Sequence, residues 1–509
     1  MRTPAAGGWR LHPRGSSSSK LTRRIISNVK ITLLCAFVTL LVLRGTVGVN
    51  RRLVYIAGSP DNRADPATAT GSARPVEDVE RILREIRADS DDDPDAGPDD
   101  NDEAPTSTSS SAATGDHYDR GAAWTTTNYR LQPRVTRWNA KRRRWLHQNP
   151  GFPSRDARGG PRVLLVTASP QGPCGSPDGD RFLLRATKNR LDYCRLHGVE
   201  MVHATARLED PELRSAGGGW AKLALLRRLM LAHPEVEWLW WLDAGALVTD
   251  MGFELPLARY EGAHLVVRGD SYQLFQRRAW DAASTASFLL RNCQWSLDLL
   301  DAWAVMAPRG RARHDAGALL TATLAGRPAG EADDQSALVH LLITEKERWM
   351  DRVYLENQYY LHGVWTALVG KYEKAMEKHH PGYGDDRWPF VTNFAGCNPC
   401  DDGKNRSDEY PLDRCASGME RAFNFADNQV LRLYGFRHES LASAEVRRVA
   451  NRSTDPLEAK EEALAFLKKP NEPDLWSNDV RKNRKRKGKG DLDSVLARIL
   501  RRLGWRSKC

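Results

Sequence analysis

The chain contains no apolar run as long as the roughly 20 residues that a membrane-spanning helix normally needs. Its longest such run, 31–43, has 13 residues and lies between Lys30 and Arg44. The uncharged residues 45–49 extend the run if the flanking Lys and Arg side chains reach up to the membrane surface. We therefore predict a single short signal-anchor helix at 31–49.

Acidic residues are absent from residues 1–30, which hold seven Lys and Arg. Such a basic tail favours an N-terminus that stays in the cytosol, with the rest of the chain in the lumen of the secretory pathway. A cleaved signal peptide is the alternative, although Arg44 lies awkwardly close to the apolar segment for a cleavage site. The prediction is a single-pass type II membrane protein.

Cysteines are few, and only Cys397 and Cys400 have the C-x-x-C spacing. No second such pair completes a zinc-binding set, so disulfide bonding is the favoured role. An oxidising lumen would allow these bonds. The same compartment would allow N-glycosylation, for which Asn405 and Asn451 begin the N-x-S/T sequons.

Recognisable RNA-binding motifs are missing too, although the formal net charge is +11. That charge is an average over opposed blocks, because residues 89–103 are rich in Asp and residues 480–490 are rich in Lys and Arg. A basic surface often indicates nucleic acid as the partner. The predicted anchor places most of this charge in a compartment without nucleic acid, so we expect no such partner.

Composition divides the luminal part of the chain into three regions. Residues 50–155 are too polar and charged to bury a core, and we predict a largely disordered stem there. Within the stem, the basic segment 134–146 contains two Trp residues and could pack against the folded domain, pack on a membrane, or stay solvated. The folded domain is predicted at 156–450 and a basic tail at 451–509.

The folded domain shows strand and helix patterns in alternation. Strands are predicted at 162–167, 199–202 and 237–242, and helices at 181–196 and 220–232. This order predicts an α/β domain with a mostly parallel sheet and helices on both faces. Ligands bind beyond the carboxyl ends of such strands, so the loop after Thr167 and the residues after Leu242 are the expected site.

Asp243 closes the apolar strand that precedes it. Transferases that use a sugar nucleotide commonly place an Asp-x-Asp pair at such a position. Two carboxylates there hold a hard cation, which neutralises the diphosphate leaving group. An Asp at the end of a strand is also a common turn residue, so Asp243 by itself does not define a function.

Longer blocks of sequence carry a family resemblance. They are ATKNRLDYCRLHG (186–198), WAKLALLRRLMLAHPEVEWLWWLDA (220–244), SFLLRNCQWSLDLLDAWA (287–304), EADDQSALVHLL (331–342), YYLHG (359–363), GDDRWPFVT (384–392) and RAFNFADNQVLRLYGF (421–436). In this order they resemble the plant branch of glycosyltransferase family 34, which contains xyloglucan α-1,6-xylosyltransferases and galactomannan α-1,6-galactosyltransferases. The resemblance covers residues 161 to about 450.

The resemblance implies a GT-A-like α/β domain that transfers an α-linked sugar from a UDP-sugar with retention. The implied acceptor is a cell-wall polysaccharide such as xyloglucan or galactomannan, and the implied location is the Golgi membrane. Homo- or hetero-oligomers with related transferases would be consistent with it.

Residue roles also follow from the resemblance. Lys222 and Asp243 are expected to bind the nucleotide sugar, and Asp243 also to bind Mn²⁺. Asp333, Asp334 and Gln335 are expected beside the reacting sugar. Carboxylate and amide groups there can orient sugar hydroxyls and stabilise positive charge at the anomeric carbon.

The sequence departs from the family pattern at four places, three of them on the metal and diphosphate side. Gly245 replaces the second Asp of the metal motif, Asn393 replaces a His, and Asn398 replaces a Lys that contacts phosphate. Residues 283–286 read Ala-Ser-Thr-Ala where the family reads Leu-Asn-x-Gly. Asn398 is polar and stays a candidate contact to the nucleotide.

These departures predict weakened or altered dependence on Mn²⁺. Electrostatic groups of this kind each contribute about 3–4 kcal/mol to catalysis, so the losses could remove most of the rate. Two hypotheses follow. The chain is either an active transferase with weakened metal dependence or a catalytically silent homologue that acts as a scaffold for active relatives.

Overall fold

The computed structural model describes residues 55–56, 131, 133–169, 173–205, 218–398, 400, 411–451 and 460–469. The predicted tail 1–30, the anchor 31–49, most of the stem, the sequon at Asn405 and most of the C-terminal tail lie outside these residues. In the described part of the chain, no helix combines the length and the apolar character that crossing a membrane requires.

Strands and helices alternate along the domain. The strands are β1 (Tyr55–Ile56), β2 (Val163–Ser169), β3 (Glu200–Thr205), β4 (Trp238–Leu242), β5 (Ala246–Val248), β6 (Leu265–Gly269), β7 (Ala283–Arg291), β8 (Val353–Glu356), β9 (Gly363–Val364), β10 (Val391–Asn393), β11 (Phe436–His438) and β12 (Val446–Arg448). The helices are α1 (Trp138–Gln148), α2 (Pro177–His197), α3 (Ala221–Ala232), α4 (Ser271–Phe275), α5 (Gln294–Trp303), α6 (Arg311–Thr323), α7 (Asp334–Thr344), α8 (Lys346–Trp349), α9 (Trp365–Leu368), α10 (Tyr372–Lys378), α11 (Leu412–Leu433) and α12 (Lys460–Leu467).

The predicted elements correspond to β2, α2, β3, α3 and β4. The largest difference is at the start of α2, which begins at Pro177 instead of residue 181. Ser176 caps this helix, because its Oγ accepts a hydrogen bond from the N–H of Gly179 at 3.2 Å. Pro177 suits the first turn, where a backbone donor is not needed.

The central sheet has the strand order β1-β3-β2-β4-β7-β6-β8. Its neighbours pair in parallel except at β7, which runs antiparallel to both β4 and β6. The predicted α/β fold is confirmed. Its sheet is mixed, because the pairs that β7 forms are antiparallel and the other pairs are parallel. The reversal of β7 brings its amino end to the same edge of the sheet as the carboxyl end of β4. From the carboxyl end of β4 the chain continues into β5, which belongs to a smaller sheet in the order β5-β10-β9.

Strand β4 is buried on both faces of the sheet. Leu239 and Trp241 belong to one apolar core, whereas Trp238, Trp240 and Leu242 belong to the other. Helix α3 packs on the first face and helix α2 on the second, as predicted. A strand covered on both faces needs a continuous apolar run, and this explains the sequence WLWWL.

Helix α1 overlaps residues 134–146, the basic segment of the predicted stem, and it packs against the domain. Trp138 is fully buried, and its Nε1–H donates to Asn292 Oδ1 at 2.8 Å. Arg142 pairs with Glu237 at 2.9 Å and donates to Pro234 O at 2.6 Å. The folded unit therefore begins before residue 156, because a buried indole outweighs the polar composition of its neighbours.

Candidate functional site

Asp243 lies at the carboxyl end of β4, where the sequence placed it, and the turn that follows is held by a buried arginine. Arg190, on α2, donates to the carbonyl oxygens of Asp243, Ala244 and Ala246 at 2.8, 2.9 and 2.8 Å. Burial lowers the pKa of Arg190 to about 10, against the opposing effect of the Asp243 carboxylate. Sequence reasoning missed Arg190, although a cation in the middle of a helix packed on the sheet is a signal that could have identified it.

Lys222 is the centre of the site. It lies at the start of α3 with only 3% of its side chain exposed, and its Nζ is 2.8 Å from Asp334 Oδ2 and 3.5 Å from Asp243 Oδ1. The same ammonium group donates to Thr285 O at 2.9 Å. Two carboxylates from distant parts of the chain are therefore bridged by one buried cation.

The charges of this cluster depend on one another. Desolvation lowers the pKa of Lys222, but Asp243 and Asp334 outweigh it, so this pKa is raised and the amine stays charged. Desolvation and the nearby Asp334 raise the pKa of Asp243, which Lys222 and Trp241 oppose. Trp241 contributes an indole N–H that donates to Asp243 Oδ1 at 2.6 Å. The cluster is a single electrostatic unit.

Asp334 is fixed from two further directions. Thr285 Oγ1 donates to Asp334 Oδ2 at 2.7 Å, so the segment 283–286 supplies a hydroxyl to the site through the one position that the family pattern leaves open. Gly219 lies against the carboxylate so closely that a Cβ there would be 1.8 Å from Asp334 Oδ1. Any side chain at Gly219 would displace the carboxylate.

Asp333 and Gln335 flank Asp334 at the start of α7, in different environments. Asp333 caps the helix, because its Oδ1 accepts from the N–H of Ser336 at 2.8 Å, and its side chain remains 42% exposed. Gln335 is half-buried, and its side chain forms no hydrogen bond with the other residues that the structure describes. Among the described residues, Lys222 forms its ion pairs and hydrogen bonds with Asp243, Asp334 and Thr285, and not with these two side chains.

Gly245 and Asn393, the two positions that lack a family metal ligand, are neighbours. Strands β5 and β10 are antiparallel with Asn393 opposite Ala246, and the N–H of Phe394 donates to Gly245 O at 2.9 Å. Asn393 is only 4% exposed. A Cβ at Gly245 would meet no atom within 4 Å, so an Asp side chain has room there.

Asn398 is exposed and lies in a left-handed turn with φ of 36°, a conformation that Asn tolerates better than most residues. Disulfides hold this turn on both sides, but Cys397 and Cys400 do not pair with each other. Cys397 pairs with Cys415, and Cys400 pairs with Cys174 in the loop after β2. The loop expected to bind ligand is therefore covalently joined to the segment that carries Asn398.

The residues present do not form a protein-built Mn²⁺ site. No group of three or more His, Cys, Asp or Glu with suitable geometry occurs among the described residues. Asp243 Oδ1 already accepts from Trp241 and faces the ammonium of Lys222, while Gly245 and Asn393 supply neither carboxylate nor imidazole. One carboxylate shared with a buried Lys is a poor donor set for a divalent cation.

The comparison with known proteins identifies the chain as a sugar transferase of glycosyltransferase family 34. Residues 159–404 match the galactosyl transferase GMA12/MNN10 family, and the chain belongs to this family. The predicted membership in glycosyltransferase family 34 and the predicted enzyme class are both confirmed.

Two relatives and one solved structure show the range of similarity. "Probable glycosyltransferase 3" from Oryza sativa subsp. indica is 59% identical over 461 residues, which are 90% of this chain and 97% of the relative. "Probable xyloglucan 6-xylosyltransferase 3" from Arabidopsis thaliana is 51% identical over 456 residues, which are 89% of this chain and 90% of the relative. The crystal structure of galactosyltransferase LgtC with donor and acceptor sugar analogues is 14% identical and covers 52% of this chain and 95% of its own, with a TM-score of 0.27.

Proposed function

We propose that the protein transfers an α-linked xylose or galactose from a UDP-sugar to a plant cell-wall polysaccharide, xyloglucan or galactomannan, with retention. The arrangement that carries this proposal is the pair of contacts from Lys222 Nζ, 2.8 Å to Asp334 and 3.5 Å to Asp243. The name of the Arabidopsis relative, a probable xyloglucan 6-xylosyltransferase, favours xylose and xyloglucan over galactose and galactomannan.

The geometry supports a division of roles within the site. Lys222 fixes Asp334 and holds Asp243 at the edge of the sheet, while Asp243 keeps 37% of its side chain exposed and available to a ligand. Asp333 and Gln335 lie one residue to either side of Asp334 and present polar groups that a sugar ring can use. Preorganised groups of this kind contribute to catalysis because they need no rearrangement as charge develops.

The proposal is tested with the purified full chain, UDP-xylose or UDP-galactose, and cellohexaose or mannohexaose as acceptors. We expect an α-linked xylosyl product on cellohexaose, identified by mass spectrometry and by the anomeric proton coupling. Asp334→Asn, which keeps the shape of the side chain but removes its charge, should reduce product formation about 100-fold. A wild-type chain that gives no product with any donor and acceptor would contradict the proposal.

The alternative is a catalytically silent homologue that acts as a scaffold for active relatives. The observation that favours it is the metal and diphosphate side of the site, where Gly245, Asn393 and Asn398 supply no charge. Failure of transfer together with co-purification of an active relative from plant membranes would support this role. That co-purification would also indicate a hetero-oligomer with the relative, whereas the mass of the purified chain in solution tests for a homo-oligomer.

We also propose that residues 31–49 anchor the protein in the Golgi membrane with residues 50–509 in the lumen. The exposed side chain of Asn451 is consistent with glycosylation of a luminal domain. A protease added to intact Golgi vesicles is then expected to remove only residues 1–30, a shortening visible on immunoblots with a C-terminal tag. A soluble product that begins after residue 45 would show a cleaved signal peptide instead.

A further inference from the structure

Arg327 is a buried arginine in the segment that connects α6 to α7. Only 3% of its side chain is exposed, although arginine is rarely buried without partners. Every guanidinium nitrogen donates to the surrounding chain. Its partners are Asp333 Oδ2 at 2.9 Å, Ser336 Oγ at 2.9 Å, Thr321 Oγ1 at 2.6 Å, Glu331 O at 2.6 Å, Gly317 O at 3.1 Å and Pro328 O at 3.2 Å.

The contact with Asp333 has a particular form. Both Nε and Nη2 of Arg327 donate to the same oxygen, Oδ2, at 3.3 and 2.9 Å. The other oxygen, Oδ1, accepts from the N–H of Ser336. The carboxylate is therefore held between a helix end and a forked cation, which leaves it one orientation.

Asp333 is nevertheless reachable by a ligand, because 42% of its side chain is exposed. Its neighbour Asp334 pairs with Lys222, so the two adjacent carboxylates have different cationic partners. A fixed, partly exposed carboxylate beside the charged cluster is suited to accepting hydrogen bonds from the hydroxyls of a sugar.

The backbone of this segment is held without Arg327 as well. Trp303 Nε1 donates to Asp334 O at 2.7 Å, and Trp220 Nε1 donates to Ala332 O at 3.1 Å. Gly317 allows close packing, since a Cβ there would lie 2.1 Å from Gly330 O. A change at Arg327 should therefore act on the side chain of Asp333 more than on the position of Asp334.

We propose that Arg327 is a positioning residue that fixes the Asp333 carboxylate against the donor sugar and so contributes to recognition of the sugar part of the donor. This inference rests on the proposed function, in which Asp333 lies beside the reacting sugar. It predicts an effect on the sugar and not on the nucleotide. The hydrogen-bond partners of Arg327 lie on α6, in the segment before α7 and at the start of α7, and none of them is a residue proposed to bind the nucleotide.

The test compares the affinities of the purified full chain for UDP-xylose and for UDP by isothermal titration calorimetry. Arg327→Lys keeps the positive charge but loses the fork. We expect the dissociation constant of this variant for UDP-xylose to rise about 10-fold. Its dissociation constant for UDP should change less than about 2-fold. Thr321→Val removes a partner of Arg327 remote from Asp333 and should leave both affinities unchanged.

A double-mutant cycle locates the effect. If Arg327 acts through Asp333, Arg327→Lys combined with Asp333→Asn should bind UDP-xylose no more weakly than Asp333→Asn alone. Asp333→Glu, which moves the carboxylate by one methylene, should reproduce the selective loss even if Arg327→Lys does not fold. Equal losses for UDP and UDP-xylose, or additive effects in the cycle, would overturn the inference. A wild-type chain that binds UDP but no UDP-sugar would instead refute the proposed function.

Discussion

Lys222→Met is expected to lower kcat/KM for sugar transfer at least about 100-fold, the range seen when one preorganised electrostatic group is removed. Methionine has nearly the length of lysine but no charge, so the substitution removes the ammonium and leaves the volume filled. Asp243 and Asp334 would then repel each other without a cation between them. The pKa of Asp243, which Asp334 already raises and Lys222 holds down, should rise further.

Stability should fall as well, by about 3–5 kcal/mol, because one partner of a buried charge cluster is lost. Urea unfolding and initial-rate kinetics on the same preparation separate the two effects. The chain offers a matched control in Lys188, which also pairs with two aspartates, Asp192 at 2.7 Å and Asp427 at 2.6 Å. Lys188→Met should keep kcat/KM within about 2-fold, since a half-exposed pair away from the site contributes little to it. Equal kinetic losses in the two variants would show that Lys222 has no special role.

Gly245→Asp combined with Asn393→His is expected to create Mn²⁺-dependent binding of UDP. The two positions are adjacent across β5 and β10, so the new carboxylate and imidazole would join Asp243 in one ligand set. The wild-type chain should bind UDP with little response to Mn²⁺. In the double variant, Mn²⁺ should tighten UDP binding about 10-fold, which corresponds to about 1.4 kcal/mol.

Positions 245 and 393 differ in the space that each offers to a larger side chain. Gly245 has open space beside it and its φ lies outside the left-handed region, so Asp should be accepted. Asn393 is buried, and the larger His must displace a neighbour. Asn398→Lys is best added last, because a left-handed conformation costs a residue such as Lys about 1–2 kcal/mol.

Calorimetric titration of UDP with and without Mn²⁺ measures the effect. Gly245→Asn with Asn393→His is the matched control, since it has the same size but lacks the second carboxylate and should not respond to Mn²⁺. A strong Mn²⁺ response in the wild-type chain, abolished by Asp243→Ala, would show that the remaining ligands suffice and that the donor set has been undervalued.

The order of the elements from β2 to β4 and the position of Asp243 were readable from the sequence because both depend on local patterns. A run such as WLWWL has no polar face for solvent, so it predicts a strand that is buried on both faces. Asp243 follows the run directly and is therefore predicted at the end of the strand. The pairing of Cys397 with Cys415 and of Cys400 with Cys174 was not readable. Pairing depends on which loops meet in space, and the C-x-x-C spacing carries no information about that.

The boundary between the stem and the folded domain was also not readable from local sequence. Composition assigned residues 134–146 to the stem because basic residues dominate the segment, and it left open whether the segment packs against the domain. The structure includes them, because Trp138 finds a buried site with a hydrogen-bond acceptor in Asn292 and Arg142 finds Glu237. Such long-range partners have no signature in a local window of sequence.

The sequence by itself determined the α/β class, the family, and the residue types available for chemistry, since these follow from periodicity and from motifs within short stretches. Only the tertiary structure decided that Lys222 bridges Asp243 and Asp334, that Thr285 and Arg190 support them, and that Gly245 meets Asn393. These residues are far apart along the chain, and the reversal of β7 with the pairing of β5 and β10 brings them together. Charges interact through distance in space, so the electrostatics of the site exist only in the folded chain.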